Sequence, residues 1–480
     1  GSSKTVTVGT LALADGSNGG LAANYTLSGG THQLTVNQRP LNATLVRQYD
    51  GTTNAAGSTL SSLDALQGGE TLTMTGSGTA ASANHSAGIA MSSNGNLALA
   101  DGTGIASNYS LNSTVINIAF RVLTSSGSKT YDANTNALAA DITLGNLVSG
   151  EALNHSGTAT IGSANAGSYT ISNLTGITIA DGSGGAASNY TLTGGTHNFT
   201  VNRRVVGVSG TRLYDATTNA VASDLSTHAN LVGSETLNLS GTGTIASKDV
   251  GSSKTVTVGT LALADGSNGG LAANYTLSGG THQLTVNQRP LNATLARQYD
   301  GTTTAAGSTL SSLDALQGGE TLTLSGSGTA AGANVANGIT MSSNGNLALA
   351  DGTGLASNYS LNSTVINIAK RVLNSSGSKL YDANTNALAG AITLSNLVSG
   401  EAVNHSGTAT TSSANAGSYT ITNLAGITIA DGSGGNASNY TLTGGTHNFT
   451  VNRRVVGVSG TRLYDATTNA VASDLSTHAN

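Results

Sequence analysis

Six times along the chain a tyrosine is followed at once by an aspartate: Tyr49-Asp50, Tyr131-Asp132, Tyr214-Asp215, Tyr299-Asp300, Tyr381-Asp382 and Tyr464-Asp465. A phenol beside a carboxylate can serve as an acid–base or nucleophilic pair. The spacing argues against that use, because successive pairs stand 82, 83, 85, 82 and 83 residues apart. An active site does not need six copies at one interval, whereas a repeated structural unit needs each of them. A ring buried within its module, with one partner for its hydroxyl, and an aspartate that caps the next turn account for the pair. A second marker, Asn-Tyr, stands at Asn24-Tyr25, Asn108-Tyr109, Asn189-Tyr190, Asn274-Tyr275, Asn358-Tyr359 and Asn439-Tyr440.

Other chemistry fares no better. A basic residue stands two before each Tyr-Asp tyrosine (Arg47, Lys129, Arg212, Arg297, Lys379, Arg462) and another ten before (Arg39, Arg121, Arg204, Arg289, Arg371, Arg454). Strand residues an even number apart share a face, so these could form a ladder for a polyanion. A net charge of −5 speaks against a dedicated polyanion track, and solvated or ion-paired residues near module junctions are expected instead. The histidines do not hold a shared metal site. His155 and His405 occupy the position of Met74, Leu239 and Leu324, His85 gives way to Val335, and His32 and His197 match Thr114. Zinc also wants about four converging ligands, and there is no cysteine. Asp15-Gly16, Asp101-Gly102 and Asp181-Gly182 read as turns, and the spacing of an EF-hand calcium loop is missing. Gly127-Ser128-Lys129-Thr130 lacks the glycine that a phosphate-binding loop needs before its lysine. The expectation is no catalytic, cofactor or metal site, and a chain that is not an enzyme.

The elements that carry the markers follow from composition. Only 9% of the 480 residues are charged, against ~25% in typical soluble proteins, and there are 65 Gly, 2 Pro, no Cys and no Trp. Short Thr/Val/Leu/Tyr runs between Gly, Asn and Asp turns are the pattern of strands, and small apolar residues build several thin cores. With no basic stripe, nucleic acid is not an expected partner. With no apolar run near ~18 residues, no membrane span is expected.

The whole sequence repeats at an offset of 250, Gly1 to Val8 returning as Gly251 to Val258, and each period holds three related units. This gives a partial module at 1–37, modules at 38–119, 120–202, 203–287, 288–369 and 370–452, and a partial module at 453–480. Beginning and ending inside repeats, the chain reads as a piece of a longer protein. Each module reads as five or six strands. In 203–287 these run from Val205 toward Tyr214, in a broken stretch near Leu225 to Leu231, and through Thr236 to Ser240, Lys254 to Leu263 and Tyr275 to Val286. Leu284 and Val286 should face a core while Gln283 and Thr285 face water. Leu60, Leu63 and Leu66 could form one helical turn.

The expected fold is all-β: a tandem array of small, immunoglobulin-like β-sandwich modules of about 83 residues forming an extended rod. β-Grasp-like modules or a parallel β-solenoid are the alternatives. Linkers such as Ala-Phe-Arg at 119–121 leave no flexible tether, so each module should add ~33 Å and five modules on the order of 170 Å.

Tyr49-Asp50-Gly51-Thr52-Thr53 and Tyr299-Asp300-Gly301-Thr302-Thr303 resemble the YDG repeat of filamentous-haemagglutinin-like adhesins of Gram-negative bacteria. Gly69-Glu70, Gly150-Glu151 and Ser234-Glu235, the strand Lys254 to Val258, and Asn274-Tyr275-Thr276-Leu277 match the same pattern. The glycine after Tyr-Asp is replaced by Ala133, Ala216, Ala383 and Ala466, which puts the local turn in question. The resemblance implies an outer-membrane two-partner secretion transporter as export partner and a secreted or cell-surface location. It also implies a stalk supporting cell adhesion and biofilm matrix, with extracellular polysaccharide or host and cell surfaces met through other regions. The competing reading is an array whose modules each grip polysaccharide weakly.

Overall fold

The computed structural model describes residues 2–479. Strands and single 3-10 turns make up the regular structure, with no α-helix among the described residues. By internal contacts the chain divides into two units, each treated by itself. One holds the residues up to Gly207 with His228–Asn238 and Leu263–Gly280; the other holds Val208–Thr227, Leu239–Ala262 and everything from Thr281 on. The first unit thus contains modules 38–119 and 120–202, the second modules 288–369 and 370–452, and module 203–287 is shared.

Module 38–119 shows the plan. Its strands are β1 (Arg39–Gln48), β2 (Asn54–Ala56), β3 (Leu60–Leu63), β4 (Leu72–Thr75), β5 (Ser77–Ala80), β6 (Ser86–Ser93), β7 (Ala98–Asp101) and β8 (Tyr109–Ala119). Six form one sheet in the order β2-β5-β6-β8-β1-β3, and β4 pairs with β7 as a separate ribbon. The number of strands exceeds the five or six expected, because the three- and four-residue strands are too short to show a period. Leu60 and Leu63 lie on a strand, not a helical turn; the 3-10 turns flank it at Gly57–Thr59 and Gln67–Gly69.

Alternation builds the core. On β1, Leu41, Ala43 and Leu45 point inward, and on β8 Thr114, Ile116 and Ile118 do. Met74 of the ribbon is buried against the same cluster, with Leu99 packed beside it. In module 203–287, Leu284 and Val286 are buried as expected, with His282 as the third inward residue.

The first and last strands of each module pair in parallel. Arg39 lies opposite Tyr109 and Gln48 opposite Ala119, with one bulge between Leu111 and Ser113. Module 288–369 repeats this, Arg289–Gln298 beside Tyr359–Ala369. In 120–202 the ladder comes in two pieces, Arg121–Val122 beside Tyr190–Thr191 and Ser125–Thr130 beside His197–Asn202. Among the described residues all strand pairing lies within a module's span, and no solenoid coils stack. One residue, Phe120, separates β8 from the first strand of the next module at Arg121.

Cores do not stop at module boundaries. The cluster built on Ala43, Leu45, Ile116 and Ile118 includes Leu123 and Tyr190 of the next module. In the second unit, the cluster on Ala293, Leu295, Ile366 and Ile368 takes in Leu373, Val403 and Tyr440.

Candidate functional site: the joint between modules

The recurring residues converge where one module meets the next. Tyr49 follows β1, and its hydroxyl donates to Glu151 Oε1 of the following module at 2.6 Å. Tyr190, set just after the 3-10 turn Ala187–Asn189, donates to the other oxygen, Oε2, at 2.7 Å. The two rings meet edge to face, centroids 5.4 Å apart. Tyr190 Oη also accepts the Val148 N–H at 3.1 Å, and the Glu151 N–H closes onto Val148 O. One carboxylate, fixed by its own turn, therefore clasps two tyrosines that belong to different modules. Hydrogen bonds to a charged acceptor are the stronger kind.

The same clasp occurs at every joint between complete modules. Tyr131 and Tyr275 share Glu235 at 2.7 and 2.5 Å. Tyr214 and Tyr359 share Glu320 at 2.6 and 2.8 Å. Tyr299 and Tyr440 share Glu401, both at 2.6 Å. Burial, with the glutamate's hydrogen bond behind it, pushes the phenols of Tyr49 and Tyr131 up to about 12. Burial likewise takes Tyr275, Tyr359 and Tyr440 to about 12. The rings are thus held neutral as donors.

Each Tyr-Asp ring is expected to be buried within its own module; the structure adds the following module to its surroundings. Tyr49, Tyr131, Tyr214 and Tyr299 are at most 5% exposed, whereas Tyr381 is 39% and Tyr464 94% exposed. Residues 453–480, which follow Tyr381, carry no counterpart of Glu151 or Tyr190. The cluster around Tyr49 holds Ala43, Leu45 and Ala55 of its own module with Leu123 and Tyr190 of the next, so both modules cover the ring.

The asparagine of Asn-Tyr makes a second clasp. Asn189 Oδ1 accepts the His85 N–H of the preceding module at 2.8 Å, and its Nδ2 donates to Asn84 Oδ1 at 3.1 Å. Asn274 does this with Ala166 and Asn165, Asn358 with Val250 and Asp249, and Asn439 with Val335 and Asn334. All four asparagines are buried. Four of the arginines that stand ten before a Tyr-Asp pair make a third. Arg121 donates from Nη1 to Tyr49 O at 3.3 Å and from Nη2 to Asn146 Oδ1 at 2.9 Å. Arg204, Arg289 and Arg371 reach Tyr131 O, Tyr214 O and Tyr299 O. These arginines are staples to carbonyls rather than solvated charges.

The aspartate has the expected local role. Asp50 Oδ1 accepts Thr52 N–H at 2.9 Å and Thr52 Oγ1–H at 2.8 Å, and Asp50 pairs with Arg47. Lys129–Asp132, Arg212–Asp215, Arg297–Asp300 and Lys379–Asp382 repeat the ion pair. The next residue keeps a left-handed backbone whether it is glycine or alanine: φ is 77° at Gly51 and 63° at Ala133. The turn therefore survives the replacement, with strain at alanine. At Gly51 an added Cβ would also lie 3.0 Å from Val148 of the following module.

One joint differs. Lys248 stands where sister modules have Ala83, Ala164 and Ala333, and its Nζ lies 2.6 Å from Glu320 Oε1. Burial pushes the Glu320 carboxyl up, but hydrogen bonds from Lys248, Tyr214 and Tyr359 outweigh it and hold the group below its usual range.

The histidines serve the frame. His155 Nε2 contacts Ala139 O and Ile142 O, and His197 lies between Ser125 Oγ and Leu192 O. Asp101 and Asp181 each accept a backbone N–H of the 3-10 turn that leads to an Asn-Tyr pair. Among the described residues no three His, Cys, Asp or Glu side chains are grouped to hold a metal. The partner that sequence reasoning missed is the glutamate. The chain has five, Glu70, Glu151, Glu235, Glu320 and Glu401, one in each complete module, and that exclusivity was the available signal.

No curated protein matches the chain. Among solved structures it is similar to the Bacillus anthracis TIE protein at 7% identity, over 69% of this chain and 66% of that one, just under two thirds of its length. The TM-score is 0.16, which carries no argument about fold or function. Five stretches, 33–116, 117–197, 200–284, 281–366 and 369–447, match the YDG domain, and the chain belongs to that family.

Proposed function

We propose that this chain is a structural stalk, a spacer built by repeating one module and one joint, and that it catalyses no reaction. The observation that carries the reading is the four-fold recurrence of the glutamate clasp across linkers of a single residue. A joint with three sets of side-chain bonds and a shared core resists bending. The parallel first and last strands bring the chain in at one end of a module and out at the other. On this reading the array is extended, exported, and displayed at or released from a bacterial surface, where it supports attachment and biofilm matrix. Among the described residues no helix is long and apolar enough to cross a membrane.

Small-angle scattering on the full chain tests it. A rod on the order of 170 Å long has a radius of gyration of about 50 Å. A compact particle of 480 residues has about 23 Å, and that result would end the spacer reading. The polysaccharide-binding array is the weaker reading, because the eight tyrosines of the four clasps, which could otherwise stack on sugars, are buried in the joints.

A further inference from the structure

A module under tension from its neighbours is pulled at Arg39, where its chain begins, and at Ala119, where it leaves. These residues sit at opposite ends of the β1–β8 ladder, which runs in parallel through ten register pairs from Arg39–Tyr109 to Gln48–Ala119. The Tyr49 N–H extends it by donating to Ala119 O at 2.9 Å. Tension therefore slides β1 and β8 past each other along their length. In that geometry the ladder bonds are loaded together and must fail together. Were the same strands joined at adjacent ends, as in a hairpin, the bonds would open one at a time.

The placement favours sliding resistance further. β8 is flanked by β6 and β1 by β3, so neither strand is an edge. Leu45, Ile116 and Ile118 anchor both strands in one core. Just beyond the ladder, Tyr49 is gripped by Glu151 and Arg121 of the next module.

We propose that the parallel first and last strands of each YDG module form a shear clamp, making the module an element that bears tensile load. The proposal rests on the spacer reading for its biological sense but is a property of a single module. It also orders the modules. The ladder in 38–119 and 288–369 is broken only by one bulge within a single pair of strands, whereas in 120–202 and 370–452 it is interrupted between the short pair and the long one. Interrupted clamps yield first.

The test is single-molecule pulling on the full chain. The sequence has no cysteine, so introduced thiols are unique handles. One variant, Gln38→Cys with Ala119→Cys, loads β1 and β8 of module 38–119 in shear. The other, Gln38→Cys with Ser107→Cys, pulls the same strands apart from one end, since Gln38 Nε2 lies 3.1 Å from Ser107 O. All three positions are exposed, and matching thermal melts check that both variants fold. The expected result is a rupture force several-fold higher in the first variant. Equal forces overturn the clamp and leave the scattering result untouched. A compact particle in scattering with unequal forces removes the spacer reading and leaves the clamp standing.

Discussion

Replacing Tyr49 by Phe removes one hydroxyl and keeps the ring. The lost bond runs to Glu151 Oε1, a charged acceptor shielded by two rings. A hydrogen bond to a charged group contributes ~1.5–3 kcal/mol. No bond inside module 38–119 is touched, so the cost should fall on joint opening and spare module unfolding. The reporter is the His85 amide, which crosses the joint to Asn189 Oδ1. At 1.36 kcal/mol per decade, its hydrogen exchange in the full chain should quicken by roughly 10- to 150-fold. The Ile116 amide, deep in the module, should keep its rate. Tyr381→Phe is the internal control, because Tyr381 has no glutamate across from it in this sequence, and its neighbours should not change. Unchanged exchange at His85, or equal acceleration at His85 and Ile116, would show that the tyrosine hydroxyl does not latch one module to the next.

Three further outcomes follow from the joint. Alkaline titration should weaken all four clasps together. Tyr49, Tyr131, Tyr275, Tyr359 and Tyr440, at least one in each clasp, are pushed up to about 12 from an unfolded value near 10, and burial raises Tyr190, Tyr214 and Tyr299 as well, so stability present below pH ~10 is lost as pH rises toward ~12, measurable by phenolate absorbance alongside circular dichroism. At Glu320 the sign reverses: its folded pKa is lowered, so stability present above the ordinary carboxylate range is lost on acidification, and Lys248→Ala should shrink that acid dependence in pH-dependent exchange at Val250. Ala133→Gly relieves a left-handed alanine at some cost in chain entropy, and thermal melting should show a gain of up to about 1 kcal/mol.

The module and its markers were legible because each is repeated, so the sequence carries its own alignment. Alternation at Leu284 and Val286 placed the end of the last strand, since a half-buried strand writes its period into residue types, but the single run expected from Tyr275 is two strands, Tyr275–Thr276 and His282–Asn287. Two things were hidden for physical reasons. Parallel pairing of the first and last strands depends on contacts some seventy residues apart, and period-two alternation is the same for either direction. The destination of the Tyr-Asp ring was hidden too, because burial by a neighbour and burial by one's own module select the same aromatic residue. The glutamate was the clue that could have separated them. A single glutamate in every complete module of a chain so poor in charge is a costly residue to retain without a partner.

Every complete module carries both halves of the joint. Its tyrosine and the turn before Asn84, or their equivalents, face forward; its glutamate, Asn-Tyr pair and arginine face back. Any unit can therefore follow any other without a change of side chains at the seam. Unequal recombination between copies would lengthen or shorten the gene product by whole units and leave each seam chemically intact. Reach then becomes a quantity that a lineage can adjust by copying, with no new contact to invent.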